Sequence, residues 1–467
     1  MAEQNGSKKR TAWILIGAMA GILLASLDSN IVSTAMPKII GSLNGTAYYT
    51  WPVTAYLLAM TISMPLVGKL SDVYGYKPIY FFGIVVFLAG SVLCGVSQSM
   101  AQFIAFRGLQ GIGGAVLISN TMAIIGILVF AFPASHAAEN GGKIDFAGAA
   151  VLIAALVPML LAFSWGGEKY SWNSAPIIGM LAFAAVMIAV FGRIERKAGD
   201  PIIPMSLFQN SVFNFSAMEM FLFNGVMMAC IIFVPLFLQE VKGLSPSSSG
   251  AVITPMMVSL IAGVMISGMV ISRTCRYKLL AAVGFLVMGA GTVILTLLNG
   301  GSDDPVIVAA MVIMGLGIGI AMAIFNVTAQ NVFPNSRMGV VTSSIQFFRM
   351  MGQTVASSVL GTIFSSSLSK GIRTLNVRAF PPQVAHRLTD GSSIADSASV
   401  SAMKAMVPAG LLPDFEALLS QARQVLSGSI HLVFVICAAV TLVSLLLVLF
   451  LKEVPMSRQS EAESPEN

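Results

Sequence analysis

Along most of the chain, apolar residues run in blocks of about 18 to 25, separated by short polar stretches. Blocks of that length cross about 30 Å of hydrocarbon as α-helices. Twelve are predicted, near 12–35, 47–67, 78–97, 101–132, 145–164, 175–192, 212–237, 248–271, 279–298, 305–325, 340–364 and 429–451. The fourth stands apart. It reads AQFIAFRGLQGIGGAVLISNTMAIIGILVFAFP, carries Arg107 as its only charge, and as a single helix measures about 50 Å. Its excess length is expected to be relieved by tilt or by protrusion into the cytoplasm.

Composition fixes the class. Of the 467 residues, 56% are hydrophobic and 10% charged, against about 25% charged in soluble domains. The net charge of +6 does not point to nucleic acid, because Lys and Arg sit in short clusters between apolar blocks and not on one face. The first block is too long for a signal-peptide core and is read as a retained span. In the short loops on the N-terminal side stand 15 Lys and Arg residues, against only Lys38, Lys169 and Lys242 opposite. That bias predicts cytoplasmic termini.

Other chemistry is sparse. Cys94, Cys230, Cys275 and Cys437 lie far apart, as do His136, His386 and His431, so neither a metal site nor a disulfide framework is expected. GLGIGIA at 315–321 lies inside a span without a strand before it, so close helix packing explains its glycines better than a dinucleotide does. No Gly-x-x-x-x-Gly-Lys-Ser/Thr occurs, and no catalytic triad or carboxylate pair suggests an enzyme. The long polar segment 365–427 is expected as an extracytoplasmic cap with an amphipathic helix around DFEALLSQARQVL, and the tail SRQSEAESPEN as a short acidic end.

GKLSDVYGYKP, Gly68 to Pro78, falls between two predicted spans and resembles the loop motif of the major facilitator superfamily. LDSNIVSTAMP, Leu27 to Pro37, and FRGLQGIGGA, Phe106 to Ala115, resemble the first-helix and fourth-helix motifs of its fourteen-helix drug:proton antiporter branch, with Asn30 and Ser33 as departures. The likeness continues through KIDFAGAAVL, PLFLQEVKGLSPSSSG and FPNSRMGVVTSSIQ, and GMVISRTCRYK looks like a degraded second copy of the loop motif. The resemblance implies an all-α polytopic fold of two six-helix-type halves plus two linker helices. The organisation that follows is an N-terminal half at 1–132, linkers at 133–211, a C-terminal half at 212–451 and a tail at 452–467.

Against that branch, the fifth helix and most of the sixth are missing, with 127–133 resembling the end of the sixth fused to the fourth. Losing a pair of helices keeps every later span in its orientation and leaves twelve. Packing of Gly108, Gly111, Gly113 and Gly114 needs a neighbour that the fifth helix would supply, so a gap exposing Asp28 and Arg107 is expected.

An acid at membrane depth is costly to keep ionised, so it tends to face a cavity, pair, or bind a proton. Asp28 and Glu219 are the two acids well inside spans, and Arg107 and Arg349 the two bases. The resemblance implies that Arg107 acts in proton coupling with Asp28 as partner. It also implies cytoplasmic gating by Gly68, Asp72, Gly75 and Lys77. Gln110, Asn30, Glu219, Arg349 and Met227 are the candidate lining of a substrate cavity, Met227 because flexible methionines suit varied apolar ligands. The expected activity is proton-coupled export of small amphipathic or cationic molecules across the inner (plasma) membrane, impaired by the missing helical hairpin, with the proton gradient as energy source and no cofactor or nucleic acid. Alternatives are export of one specific metabolite or peptide-like compound, and a non-transporting remnant or sensor.

Overall fold

The structure, a computed structural model, describes residues 51–129, 145–167, 169–199, 201–244, 246–274, 277–298, 302–334, 337–375, 403–407 and 411–450, with isolated positions between 17 and 43. Among these, ten helices are long and apolar enough to cross a membrane. The chain divides into two compact units, Met1–Trp165 with Trp172–Met220 and Phe325–Met351, and Gly166–Ser171 with Phe221–Ile324 and Gly352–Asn467.

In the first unit, helices α1 (Trp51–Tyr74), α2 (Tyr76–Gly95) and α3 (Met100–Val129) pack on one another. The motif expected as a loop is almost entirely helical, a correction to the sequence reading. Only Gly75 interrupts it, at φ 87°, a conformation that glycine adopts without steric cost. The over-long stretch is one helix, as expected, running unbroken from Met100 to Val129. Helices α4 (Phe146–Trp165) and α5 (Ala175–Glu195), in the place of the expected linkers, form a hairpin that also packs on α1. The rings of Trp51 and Trp165 meet edge to face at 5.6 Å.

The chain continues through α6 (Ser211–Glu240), α7 (Pro246–Ala251), α8 (Ile253–Thr274), α9 (Lys278–Thr296), α10 (Asp304–Asn331), α11 (Met338–Arg373) and α12 (Leu412–Leu449). In the second unit, the glycines of GLGIGIA serve packing. A Cβ on Gly317 would sit 2.6 Å from the Gly284 carbonyl of α9, and one on Gly319 would come within 2.9 Å of the Leu260 carbonyl carbon of α8. Helices meet closely there because no side chain stands between the backbones.

Two boundaries differ from the sequence reading. Helix α11 does not stop near 364 but runs to Arg373, and the amphipathic segment and the last span are one helix of 38 residues, α12. At about 57 Å, α12 is far longer than a bilayer is thick. The extra turns of α11 and α12 cover each other. Ser429 Oγ donates to Ser367 Oγ at 3.2 Å, Gly371 lies against Val425, and Leu368, Ile372, Leu418, Ala422 and Leu426 are buried. Polar serines at this depth do not break α11, because hydroxyls such as Ser357 and Thr362 bond back to carbonyls of their own helix.

Candidate coupling site and cytoplasmic latch

Arg107 and Gln110 lie three residues apart on α3, so their side chains share a face. That face meets Asp28. Arg107 Nη1 donates to Asp28 Oδ2 at 2.6 Å, Gln110 Nε2 donates to Asp28 Oδ1 at 2.7 Å, and Arg107 Nη1 also donates to Gln110 Oε1 at 2.7 Å. The guanidinium sits 4.3 Å from the centre of the Tyr56 ring of α1, a cation–π contact. Cys94 of α2 directs its thiol at Gln110 Oε1 from 3.9 Å. Charge, amide and ring thus close a small polar network in an apolar setting, where each interaction is stronger than in water.

Glycines make this assembly possible. Cβ atoms on Gly90 and Gly113 would lie 2.8 Å from Gln110 Cα and 2.5 Å from Phe87 N, and one on Gly114 would lie 2.7 Å from Tyr56 Oη. The expected gap is therefore corrected. Helices α1 and α2 supply the neighbour for Gly111, Gly113 and Gly114, and only Gly108 has open space. Arg107 is 1% exposed and the Asp28 side chain 13%, so the pair is covered and not open to lipid or water.

The other sequence candidates are more scattered. Glu219 is fully buried on α6 in the first unit, and Arg349 is half-buried on α11. Met227 belongs to the second unit and is half-buried, and Asn30 lies outside the described residues. Neither Glu219 nor Arg349 is among the hydrogen-bond partners of Asp28, Arg107 and Gln110 described above.

At the other end of α1, Asp72 meets the start of α11. Its Oδ1 accepts from Gly339 N at 2.7 Å, its Oδ2 from Val340 N at 2.8 Å, and Tyr76 Oη donates to Oδ1 at 3.2 Å. The first N–H groups of a helix have no partner of their own and carry partial positive charge, so a carboxylate there is doubly favoured. Gly68 and Gly339 allow the approach, since a Cβ on Gly68 would stand 2.5 Å from the Gly339 carbonyl. Ser71 Oγ donates to Asn120 Oδ1 at 2.7 Å and ties the same turn to α3. Lys77 is exposed. Sequence reasoning missed Tyr56, one aromatic within an apolar run, and the donors at 339 and 340, which are backbone groups and leave no residue signature.

The sequence profile of the Major Facilitator Superfamily matches residues 18–357. The chain is 34% identical to "Multidrug transporter protein MdtP" of Bacillus subtilis (strain 168), over 78% of this chain and 77% of that protein. It is 29% identical to "Multidrug resistance protein 3" of the same organism, over 78% and 81%. The alignment to MdtP extends over 420 positions, more than the share of this chain within it, so MdtP carries residues there that have no counterpart here. Among solved structures, a bacterial homolog of the human lysosomal transporter Spinster, inward-facing and unoccupied, superposes with a TM-score of 0.53 over 94% of this chain and 98% of that one, at 14% identity. That likeness concerns the fold alone. With matching spans, motifs and fold, the chain belongs to the major facilitator superfamily of multi-pass membrane transporters.

Proposed function

We propose that the protein is a proton-coupled exporter of small amphipathic or cationic compounds, an antiporter of the inner (plasma) membrane with both termini in the cytoplasm. The observation that carries this reading is the Asp28, Arg107 and Gln110 network. In the arrangement described, Asp28 accepts hydrogen bonds from Arg107 and Gln110 and is paired with the guanidinium. Moving Arg107 away would leave a carboxylate without its partner at membrane depth, a cost that an incoming proton or a cationic cargo can each remove. One site can therefore exchange a proton for a rearrangement of α3 against α1. Asp72 at the α11 N-terminus supplies a second element with two states, gripped or released, suited to gating the cytoplasmic side.

Relatives named multidrug transporters support the class of cargo. The covered state of Asp28 and Arg107 speaks against a remnant, since the network is assembled without the helical pair. The test is expression in efflux-deficient cells with a panel of cationic dyes and drugs. Resistance and dye extrusion are expected from the wild-type chain and not from Asp28→Asn at equal membrane abundance. Extrusion by the variant at the wild-type rate would remove Asp28 from the mechanism.

A further inference from the structure

Arg349 is a charged side chain inside a span that the mechanism above does not use. It lies on α11, which begins at Met338, so it stands about 16 Å along the axis from the helix start and well inside the apolar block. A guanidinium at that depth is costly, and it is held where it pairs or faces a polar space. The acids of the described ion pairs are taken, Asp28 by Arg107, Asp304 by Lys242 and Glu416 by Lys404. Among the described residues, no carboxylate lies within ion-pair distance of Arg349, and its Nε is buried without a hydrogen-bond partner. The residue as a whole is half-buried, so a ligand can reach it.

The same stripe of α11 carries further open polar groups. Gln330 Nε2 of α10 donates to Thr342 Oγ1 at 2.9 Å, and Gln346 Nε2 donates to Asn326 Oδ1 of α10 at 3.1 Å. Thr342, Gln346 and Arg349 follow one another at spacings of four and three residues, which puts them on one face. Gln330 and Gln346 each spend one end of the amide on these bonds, while Oε1 of each is buried without a partner. At such an end an amide presents either its oxygen or its N–H2 group. Buried polar atoms are nearly always paired in folded proteins, so a stripe that leaves both amides and a guanidinium open calls for a polar partner from outside the chain.

The charge on Arg349 decides what that partner is. A cation is repelled there, and a neutral group leaves the guanidinium uncompensated. A planar carboxylate matches its fork with two parallel N–H···O bonds. Lipid headgroup phosphates sit at the membrane surface, too far from residue 349 to serve. We propose that Arg349 is a subsite that receives a carboxylate on the exported compound, so that the cargo includes amphipathic acids and zwitterions and not cations alone. This rests on the exporter reading for its place in transport, but the binding step is measurable without transport.

The test uses two dyes of nearly the same shape, a rhodamine free acid and its methyl ester, which differ in the carboxylate. Binding to purified protein in phosphatidylcholine nanodiscs is read by fluorescence anisotropy. Arg349→Gln should weaken the free acid by about tenfold or more, the scale of a charge-assisted hydrogen-bonded pair, and leave the ester within a factor of about two. Arg349→Lys keeps the charge but not the fork, and its affinity for the acid should fall between the two. Unchanged binding of the acid in Arg349→Gln, or equal weakening of acid and ester, would overturn the proposal. Should Arg349→Gln not fold, Arg349→Lys decides, and acid binding at the wild-type level there would overturn it. Dye extrusion from efflux-deficient cells separates this from the exporter reading. Extrusion of the ester together with acid binding indifferent to residue 349 removes the subsite and leaves the exporter standing, whereas acid-selective loss in Arg349→Gln without extrusion of either dye by the wild-type chain keeps the subsite and removes the exporter.

Discussion

Gly113 and Gly108 lie five residues apart on α3, yet their surroundings predict opposite responses to an added methyl group. At Gly113 a Cβ would lie 2.5 Å from Phe87 N, 2.7 Å from Phe87 Cα and 2.8 Å from Phe87 Cβ, so it meets α2 at its backbone and not at a flexible side-chain end. Relief requires moving one helix away from the other. Overpacking of this kind costs about 1 to 3 kcal/mol, offset in part by roughly 1 kcal/mol of better helix propensity. At Gly108 nothing lies within 4 Å, so only the propensity gain remains. Gly113→Ala and Gly108→Ala should therefore differ by about 2 kcal/mol, or roughly 2 °C in apparent melting temperature for a chain of this length. The assay is stepwise heating of detergent-solubilised protein, followed by the monodisperse fraction. The comparison between variants is the useful quantity, because membrane proteins of this size unfold irreversibly. Equal shifts for the two variants would refute the claim that α2 and α3 are held in contact at Gly113.

Other expectations follow from the same geometry. Tyr56→Phe should keep near-normal coupling because the ring face under Arg107 remains, whereas Tyr56→Leu should lose about 1 kcal/mol or more of that contact and shift the pH dependence of dye extrusion. Asp72→Asn removes the charge and one of two acceptors at the α11 N-terminus, worth about 1.5 to 3 kcal/mol. It should slow turnover by about tenfold or more while leaving the apparent affinity for a dye within a factor of about two. Lys404→Ala, which breaks an exposed pair with Glu416, should leave thermal stability unchanged within error, and a clear loss would show that the start of α12 depends on it.

How far the sequence was legible varies by the physics of each element. Long apolar blocks report themselves, and the place of α3 followed from its composition alone. The polar residues of the loop motif suggest a turn, yet Lys69, Ser71 and Asp72 all lie in the last two turns of α1, where Ser71 and Asp72 find hydrogen-bond partners. Gly68 is there for approach to Gly339, not for a bend. The ends of α11 and α12 were misjudged for a related reason. Their polar extensions lie beyond the apolar blocks, where hydropathy carries no information about helix length, and it is mutual burial that keeps them helical. The Asp28 and Arg107 pair was found through resemblance, while its cover was not, because it depends on which backbones three glycines let close.

The central claim is that export is coupled to protons at Asp28. It is tested most directly by reconstituting the purified chain in liposomes loaded with a cationic dye and a pH indicator, then recording dye exit and proton entry together after an imposed pH step. The account predicts that the two fluxes rise together in the wild-type chain, that both vanish in Asp28→Asn, and that Arg107→Gln uncouples or abolishes them. Dye exit that proceeds without proton entry, or that persists in Asp28→Asn, would contradict it.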